Sequence, residues 1–271
     1  MNYSFKETTW ENVDDSHDPE RYIEFLEDVS DTEWAQQAKE ASYRAIRPRE
    51  GDKILDLGCG IGIDVDGIAE YVGEDGTVVG ADNSESMIET ARARYGEQEN
   101  VRFVVDDATD LSFSNDVFDR SRTERVLQHV PAPVDAIQEM KRVTQSGGFV
   151  MATEPDWMTY ALDMPDSEIA SDVIDSEFAP VQNPSIGRKL YRLFREAEFE
   201  DVHVNSYSLT LNDAETAVLT FRLKQRLKSM INAGLISQIE ADQWLKSLEQ
   251  ASERDQFLAA GSAFSVVARV P

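Results

Sequence analysis

The run Lys53-Ile54-Leu55-Asp56-Leu57-Gly58-Cys59-Gly60-Ile61-Gly62 sets three alternate glycines directly behind a mainly apolar stretch. Lys53 to Leu57 reads as a buried strand, and the glycine turn after it opens a helix near Ile61 to Tyr71. Glycine has no side chain and tolerates unusual backbone angles, so a ligand can lie directly against such a turn and the helix N-terminus behind it. An ordinary tight turn is the plainer reading, but it gives little reason for three glycines at one junction. The spacing is G-x-G-x-G. A dinucleotide fingerprint would place its third glycine at position 63, which is Ile63, so a pyrophosphate resting on this helix is disfavoured.

Working outward, Thr77 to Ala81 (TVVGA) is the next strand, and Asp82 follows it, 24 residues after Gly58. A carboxylate there can accept both hydrogen bonds of a ribose diol, although Asp82-Asn83-Ser84 also suits a helix cap. The helix it introduces shares Met87, Ile88, Ala91 and Tyr95 on one face. Val101 to Val105, Val117 to Ser121 and Phe149 to Thr153 supply further strands, with a helix from the prolines at 131 and 133 through Val143 before the last of them. Strand and helix alternating in this way predict an α/β fold with a parallel, doubly wound sheet.

The flanks read differently. Pro19 starts one helix, and Ser30-Asp31-Thr32-Glu33 has the form of a capping box leading into a second helix through Ile46. Glu154 to Ser185 carries prolines and acids without a steady period and is expected as a loop-rich insertion. A helix over 186–198, a strand over 201–211, two helices over 213–233 and 238–252, and a closing strand over 263–270 complete the chain. The expected organisation is a helical prelude or lid (1–50), a cofactor-binding core (51–156), the insertion (157–185), and a C-terminal completion of the sheet carrying a helical cap (186–271).

Composition narrows the function. The 271 residues with 41% hydrophobic content suffice for a full core. Nothing near the start resembles an export signal and no apolar run could span a bilayer, so a cytoplasmic protein without membrane partners is expected. The formal charge of −26 opposes a nucleic-acid backbone. Arginine outnumbers lysine, 18 to 8, and the acidic surface leaves high-salt adaptation and ordinary solubility both open. One cysteine, Cys59, excludes an internal disulfide, and His17, His129 and His203 lie too far apart in sequence for metal-ligand spacing, so no metal is expected.

ILDLGCGIG, GADNSESM, Asp107-Ala108 followed by Leu111, FDRSRTERVLQHV and GGFVMATEP occur in that order between about Ile54 and Pro155. With these motifs the chain resembles class I S-adenosylmethionine-dependent methyltransferases, especially the small-molecule group of ubiquinone and menaquinone biosynthesis. The resemblance implies a Rossmann-like, seven-stranded, mostly parallel sheet with its last strand antiparallel. It implies S-adenosyl-L-methionine as cofactor, approached by Asp56, Gly58, Cys59, Gly60 and Gly62. Asp82 then holds the ribose, Met87 or Asn83 flanks adenine, Asp107 and Ala108 meet the adenine edge, and Thr123 to Arg125 border the sulfonium and carboxylate. The sequence departs from the family pattern at Asp106, Ser146 and Glu198, where glycine, proline and glycine are usual.

A sulfonium methyl is already activated, so such an enzyme needs alignment and exclusion of water more than a nucleophile or metal. His129 is the candidate base, with a capping or packing role as the plainer alternative. Trp34, Glu154, Trp157 and Tyr160 are candidates for the acceptor pocket, within a wider set of aromatics that includes Trp10, Phe25 and Phe178, although helical aromatics usually pack for stability. Arg122 and Arg125 could meet an anion or form ordinary ion pairs. The expected partner is a small-molecule methyl acceptor, with a homodimer left open. Two rival functions remain at this point, a nicotinamide-dependent oxidoreductase and a protein that binds S-adenosylmethionine without turnover.

Overall fold

The computed structural model describes residues 10, 13–16, 19–163, 169, 173 and 181–271. Most of the expected insertion, including Phe178, lies outside the described residues, as does His17. The strands are β1 Lys53–Leu57, β2 Thr77–Asp82, β3 Val101–Val105, β4 Phe118–Glu124, β5 Thr144–Asp163, β6 Glu200–Leu211 and β7 Leu258–Arg269. They form one seven-stranded sheet in the order β3-β2-β1-β4-β5-β7-β6. Neighbours from β3 to β5 are parallel, and β7 runs antiparallel to both β5 and β6, as the resemblance implied.

Alternation within β1 explains the layering, because successive side chains leave a strand on opposite faces. Leu55 and Leu57 pack with Ile137 and Met140 of α5 (Pro133–Val143) and Leu190 and Phe194 of α6 (Ile186–Glu196). Ile54 packs the other way, with Ile68 and Val72 of α3 (Ile63–Val72) and Ile88 of α4 (Glu85–Tyr95). Each of these side chains is almost wholly buried, which stabilises the fold by roughly 1.5–3 kcal/mol apiece relative to exposure.

Two N-terminal helices, α1 (Glu20–Ser30) and α2 (Glu33–Ala45), cover the C-terminal ends of the strands. The expected capping box does not form at α2. Ser30 and Thr32 instead donate their hydroxyls back to the Glu27 and Val29 carbonyls, closing α1. Before them, the Asp14 carboxylate accepts from the Glu85 N–H and the Ser84 hydroxyl, each at 2.7 Å, and so staples the start of the chain to the N-terminus of α4.

β5 is longer than expected, running through Asp163 where a loop was predicted. Its extension is sustained by β7, which begins at Leu258 and pairs with Ala161 to Asp163 across a register shift after Asp156. The expected helix over 213–233 is two helices, α7 (Ala214–Thr220) and α8 (Leu223–Asn232), because Arg222 between them adopts a left-handed φ of 53°. α9 (Gln238–Ser252) carries the capping box of Ser237 and Glu240. These three helices close over Phe221, Leu227, Trp244 and Leu248 as a separate apolar cluster. Glu198 takes a φ of 59° where glycine is usual, and Lys141 donates to the carbonyls of Ala197 and Glu198 to hold that turn.

Among the described residues, no helix is long and apolar enough to cross a membrane, and no group of three or more His, Cys, Asp or Glu side chains could hold a metal ion.

Candidate active site

The order of the sheet reverses between β1 and β4, and ligands of open α/β sheets bind outside the strand ends at such a point. There a chamber of about 1150 Å³ opens. One half is polar and backbone-rich, formed by Gly58 to Ile61, Asp82 and Asn83, and the loop 106–109. The other half is aromatic, walled by Trp10, Phe25, Trp34, Trp157, Tyr160 and Phe221.

Asp82 organises the polar half. One carboxylate oxygen accepts from the Gly60 N–H at 2.9 Å and the other from the Ser84 N–H at 3.0 Å. Burial pushes this carboxyl above its usual range, against the lowering pull of those N–H groups. Ser84 rather than Asn83 caps α4, accepting from the Met87 N–H. Met87 and Asn83 line the chamber, as do Asp107 and Ala108. Asp107 accepts from Thr109, while Asp106 accepts from the Ser112 N–H and hydroxyl. The carboxylate standing in for the usual glycine therefore braces the loop.

The three glycines divide. Gly58 and Gly60 line the chamber and Gly62 does not. A Cβ on Gly60 would meet only Leu26 of α1, at 3.1 Å, so its open side faces the chamber. A Cβ on Gly62 would strike Phe103 at 2.8 Å, and one on Gly58 would overlap Val126. Gly62, with φ 84°, is the left-handed N-cap of α3, so helix–sheet packing explains it. Cys59 lines the chamber, but burial and Asp82 hold its thiol well above the usual range and keep it protonated.

Asp56 and Thr123 also lie away from the chamber lining. Asp56 is buried and accepts from Arg122 at 2.7 Å. Thr123 donates to the Leu57 carbonyl, tying β4 to β1. Arg122 is 0% exposed and also meets Asp64 at 3.2 Å, Glu124 at 2.6 Å and the Ser42 hydroxyl at 3.0 Å. These partners take up both terminal nitrogens of the guanidinium, and Arg122 does not line the chamber, so it ties strands together. Lys39 and Tyr43 complete the cluster on Asp64, and through them α2 is docked on the core.

Glu154 does not line the chamber either. Fully buried, it accepts from the Val126 and Leu127 N–H groups and shapes the turn that carries Arg125 and His129. Burial raises its carboxyl to about 8, despite the lowering effect of those N–H groups. His129 does line the chamber, 6.0 Å from the Trp10 ring. Burial, then the charges of Arg222 and Arg125, hold its imidazole down to about 3, so it is neutral at ordinary pH and a weak proton acceptor. Trp157 donates its indole N–H to Gln128 at 2.7 Å and lies tilted beside Tyr160, whose ring centre is 4.3 Å from that of Phe221.

Sequence reasoning did not place Arg222, Phe221, Lys39, Ser42 or Asp64 at the site, although all line it. Arg222 and Phe221 reach it only through the break between α7 and α8, inside a stretch that reads as a continuous helix.

A methyltransferase-domain family matches residues 48–198 of this chain. An uncharacterised 37.1 kDa protein in a transposon of Streptomyces fradiae is 33% identical over 251 residues, covering 91% of this chain and 71% of that one. The demethylmenaquinone methyltransferase of Staphylococcus aureus is 33% identical over 175 residues, covering 59% of this chain and 73% of the relative. The phosphoethanolamine N-methyltransferase 2 of Haemonchus contortus, solved with S-adenosyl-L-methionine, superposes with a TM-score of 0.61 at 19% identity, covering 100% of this chain and 60% of that one. At that identity the likeness concerns the fold.

Proposed function

This chain belongs to the class I S-adenosylmethionine-dependent methyltransferases, and on that premise we propose that it methylates a small apolar or aromatic acceptor bound in the aromatic half of the chamber. The observation that carries this reading is the continuity of one chamber from Asp82 and Gly60 to Trp157, Tyr160 and Phe221. The residues present fit the cofactor. Asp82, half-buried, lines the chamber with its carboxylate geometry set by two N–H groups, and the open side of Gly60 leaves a cradle that a side chain would fill.

In this reading Asp82 holds the ribose hydroxyls, Gly58 and Gly60 pass close beneath the methionine portion, and Asn83, Met87, Asp107 and Ala108 surround adenine. S-adenosylmethionine supplies the methyl group, activated by its positive sulfur. What the chain adds is alignment of the acceptor and exclusion of water. Trp10, Phe25 and Trp34 cover the chamber from the N-terminal side, while Trp157, Tyr160 and Phe221 support a flat apolar acceptor from the other. The chain's charge of −26 argues against a nucleic-acid acceptor.

Calorimetric titration with S-adenosylhomocysteine, followed by turnover assays on aromatic and quinol-type acceptors, tests the reading. One-site binding together with methyl transfer is the expected result. Absence of binding overturns the cofactor assignment, and binding without turnover on any acceptor leaves a non-catalytic binding protein.

A further inference from the structure

Helix α2 is fastened beside the glycine turn by two carboxylates that also line the chamber. Lys39 donates to Asp64 at 2.6 Å, and Ser42, one turn further along α2, donates to Glu124 at 2.8 Å. Leu57 at the end of β1 pairs with Thr123 of β4, so Glu124 stands level with Gly58, the first residue of the turn.

Docking of α2 accounts for one oxygen of Glu124 and leaves the other unexplained. Oε2 accepts from the Ser42 hydroxyl at 2.8 Å and from Arg122 at 2.6 Å. Oε1 accepts nothing among the described residues, and it is not sealed within the protein. Glu124 keeps 11% of its side chain exposed and lines the chamber, so this oxygen opens there, beside the glycine turn. Asp64, the other acid of the cluster that lines the chamber, has both oxygens engaged, by Lys39 and Tyr43 on one side and Arg122 on the other. Lys39 itself carries an ammonium with three hydrogens, and among the described residues Asp64 is its one acceptor.

The cluster is also out of balance. Three carboxylates, Asp56, Asp64 and Glu124, meet two cations, Arg122 and Lys39. An unmatched charge is costly in a site so largely removed from water. A cluster built only to dock a helix has no need of that surplus acid, and the surplus sits at the chamber wall, where a ligand can supply the missing cation.

We propose that Glu124 and Lys39 hold the amino-acid end of the cofactor, its ammonium on the open oxygen of Glu124 and its carboxylate on Lys39, so that the ligand completes the ion cluster beneath α2. The inference rests on the proposed cofactor placement, in which Gly58 and Gly60 pass beneath the methionine portion. It makes Glu124, which belongs to no glycine motif, a residue that distinguishes the whole cofactor from a bare nucleoside.

Calorimetry on the full chain tests this with S-adenosylhomocysteine, its analogue lacking the amino group, and 5′-methylthioadenosine, which lacks the whole amino-acid end. S-adenosylhomocysteine is expected to bind at least about tenfold more tightly than the desamino analogue, the scale of a hydrogen bond to a charged group. Glu124→Gln keeps the shape of the side chain and an oxygen for Ser42 and Arg122. It should remove most of that difference while changing methylthioadenosine affinity less than about twofold. Because it leaves two acids against two cations, its melting temperature should hold or rise, whereas loss of a mere brace would lower it. Lys39→Gln should weaken S-adenosylhomocysteine and the desamino analogue together and spare methylthioadenosine. Equal binding of the first two ligands to the parent chain overturns the inference without any variant. So does a Glu124→Gln chain that weakens all three alike, or one that melts lower with its ligand preference intact. Absence of binding by all three would defeat the cofactor assignment and this inference with it. Methylthioadenosine binding with no added affinity for the amino-acid end would defeat the inference alone.

Discussion

Asp82 accepts the backbone N–H of Gly60 at 2.9 Å, so a carboxylate at the end of β2 holds the turn that follows β1. On the proposed reading, in which Asp82 holds the ribose, the same group also sets the shape of the glycine turn. Asp82→Ala is expected to weaken S-adenosylhomocysteine by about 1.5–3 kcal/mol, roughly ten- to a hundredfold. Calorimetry reads this directly, and an unchanged affinity would remove Asp82 from the site.

Gly60→Ala and Gly62→Ala should fail in different ways. Both residues have positive φ, but the new methyl at position 62 meets Phe103 in the core and the one at position 60 points towards Leu26 across the chamber. Gly62→Ala is expected to lose about 1–3 kcal/mol of stability in urea. Gly60→Ala should lose more cofactor affinity than stability, and the comparison fails if the two variants behave alike.

Removing the guanidinium of Arg122 leaves Asp56, Asp64 and Glu124 facing one another, with Lys39, paired to Asp64, as the remaining cation of the cluster among the described residues. Arg122→Met should cost about 3–5 kcal/mol, as expected for breaking a buried ionic cluster by taking one partner. Urea denaturation measures the loss. A near-neutral effect would mean that the acids take up protons at little cost.

Glu154 gives stability a pH dependence. Its folded-state value of about 8 lies above the 4.5 of an ordinary glutamic acid, so between those limits the folded chain holds a proton that the unfolded chain has released. Stability should therefore fall as pH rises through this window, by up to about 1.4 kcal/mol per unit. Glu154→Gln keeps an oxygen for the Val126 and Leu127 N–H groups and should flatten that part of the curve. A slope identical to the parent chain would assign the dependence elsewhere.

The parallel half of the sheet was legible because each strand and its helix carry their own signals: glycines at the β1 turn, Ser84 before α4, and proline at the start of α5. Where pairing decides, local pattern was silent. Residues 157–163 look like loop until β7 lies beside them, and the proline at 155 hides a strand that continues through it. The polar half of the chamber was likewise readable, since Gly58, Gly60, Asp82 and Asp107, each singled out by residue type and spacing, all line it. Asp56, Thr123 and Glu154 stand away from the chamber lining, which the sequence could not show, because a buried acid or hydroxyl at a strand end has the same signature whether it meets a ligand or braces the chain. Nothing in the amino-acid order separates an arginine that interrupts a helix from one that decorates it, and so Arg222 went unseen.

Leu211 and Ala259 are ladder partners at the ends of β6 and β7, and the whole α7–α9 unit hangs between them. Topologically that unit is an overgrown hairpin turn, with its entry and exit side by side. A segment attached in this way can be exchanged for another, or cut back to a short connection, without re-threading the sheet. Because it contributes Phe221 and Arg222 to the chamber wall, grafting a different unit at this one junction would change the aromatic half of the chamber while the polar half, built on the glycine turn, Asp82 and the loop 106–109, stays untouched.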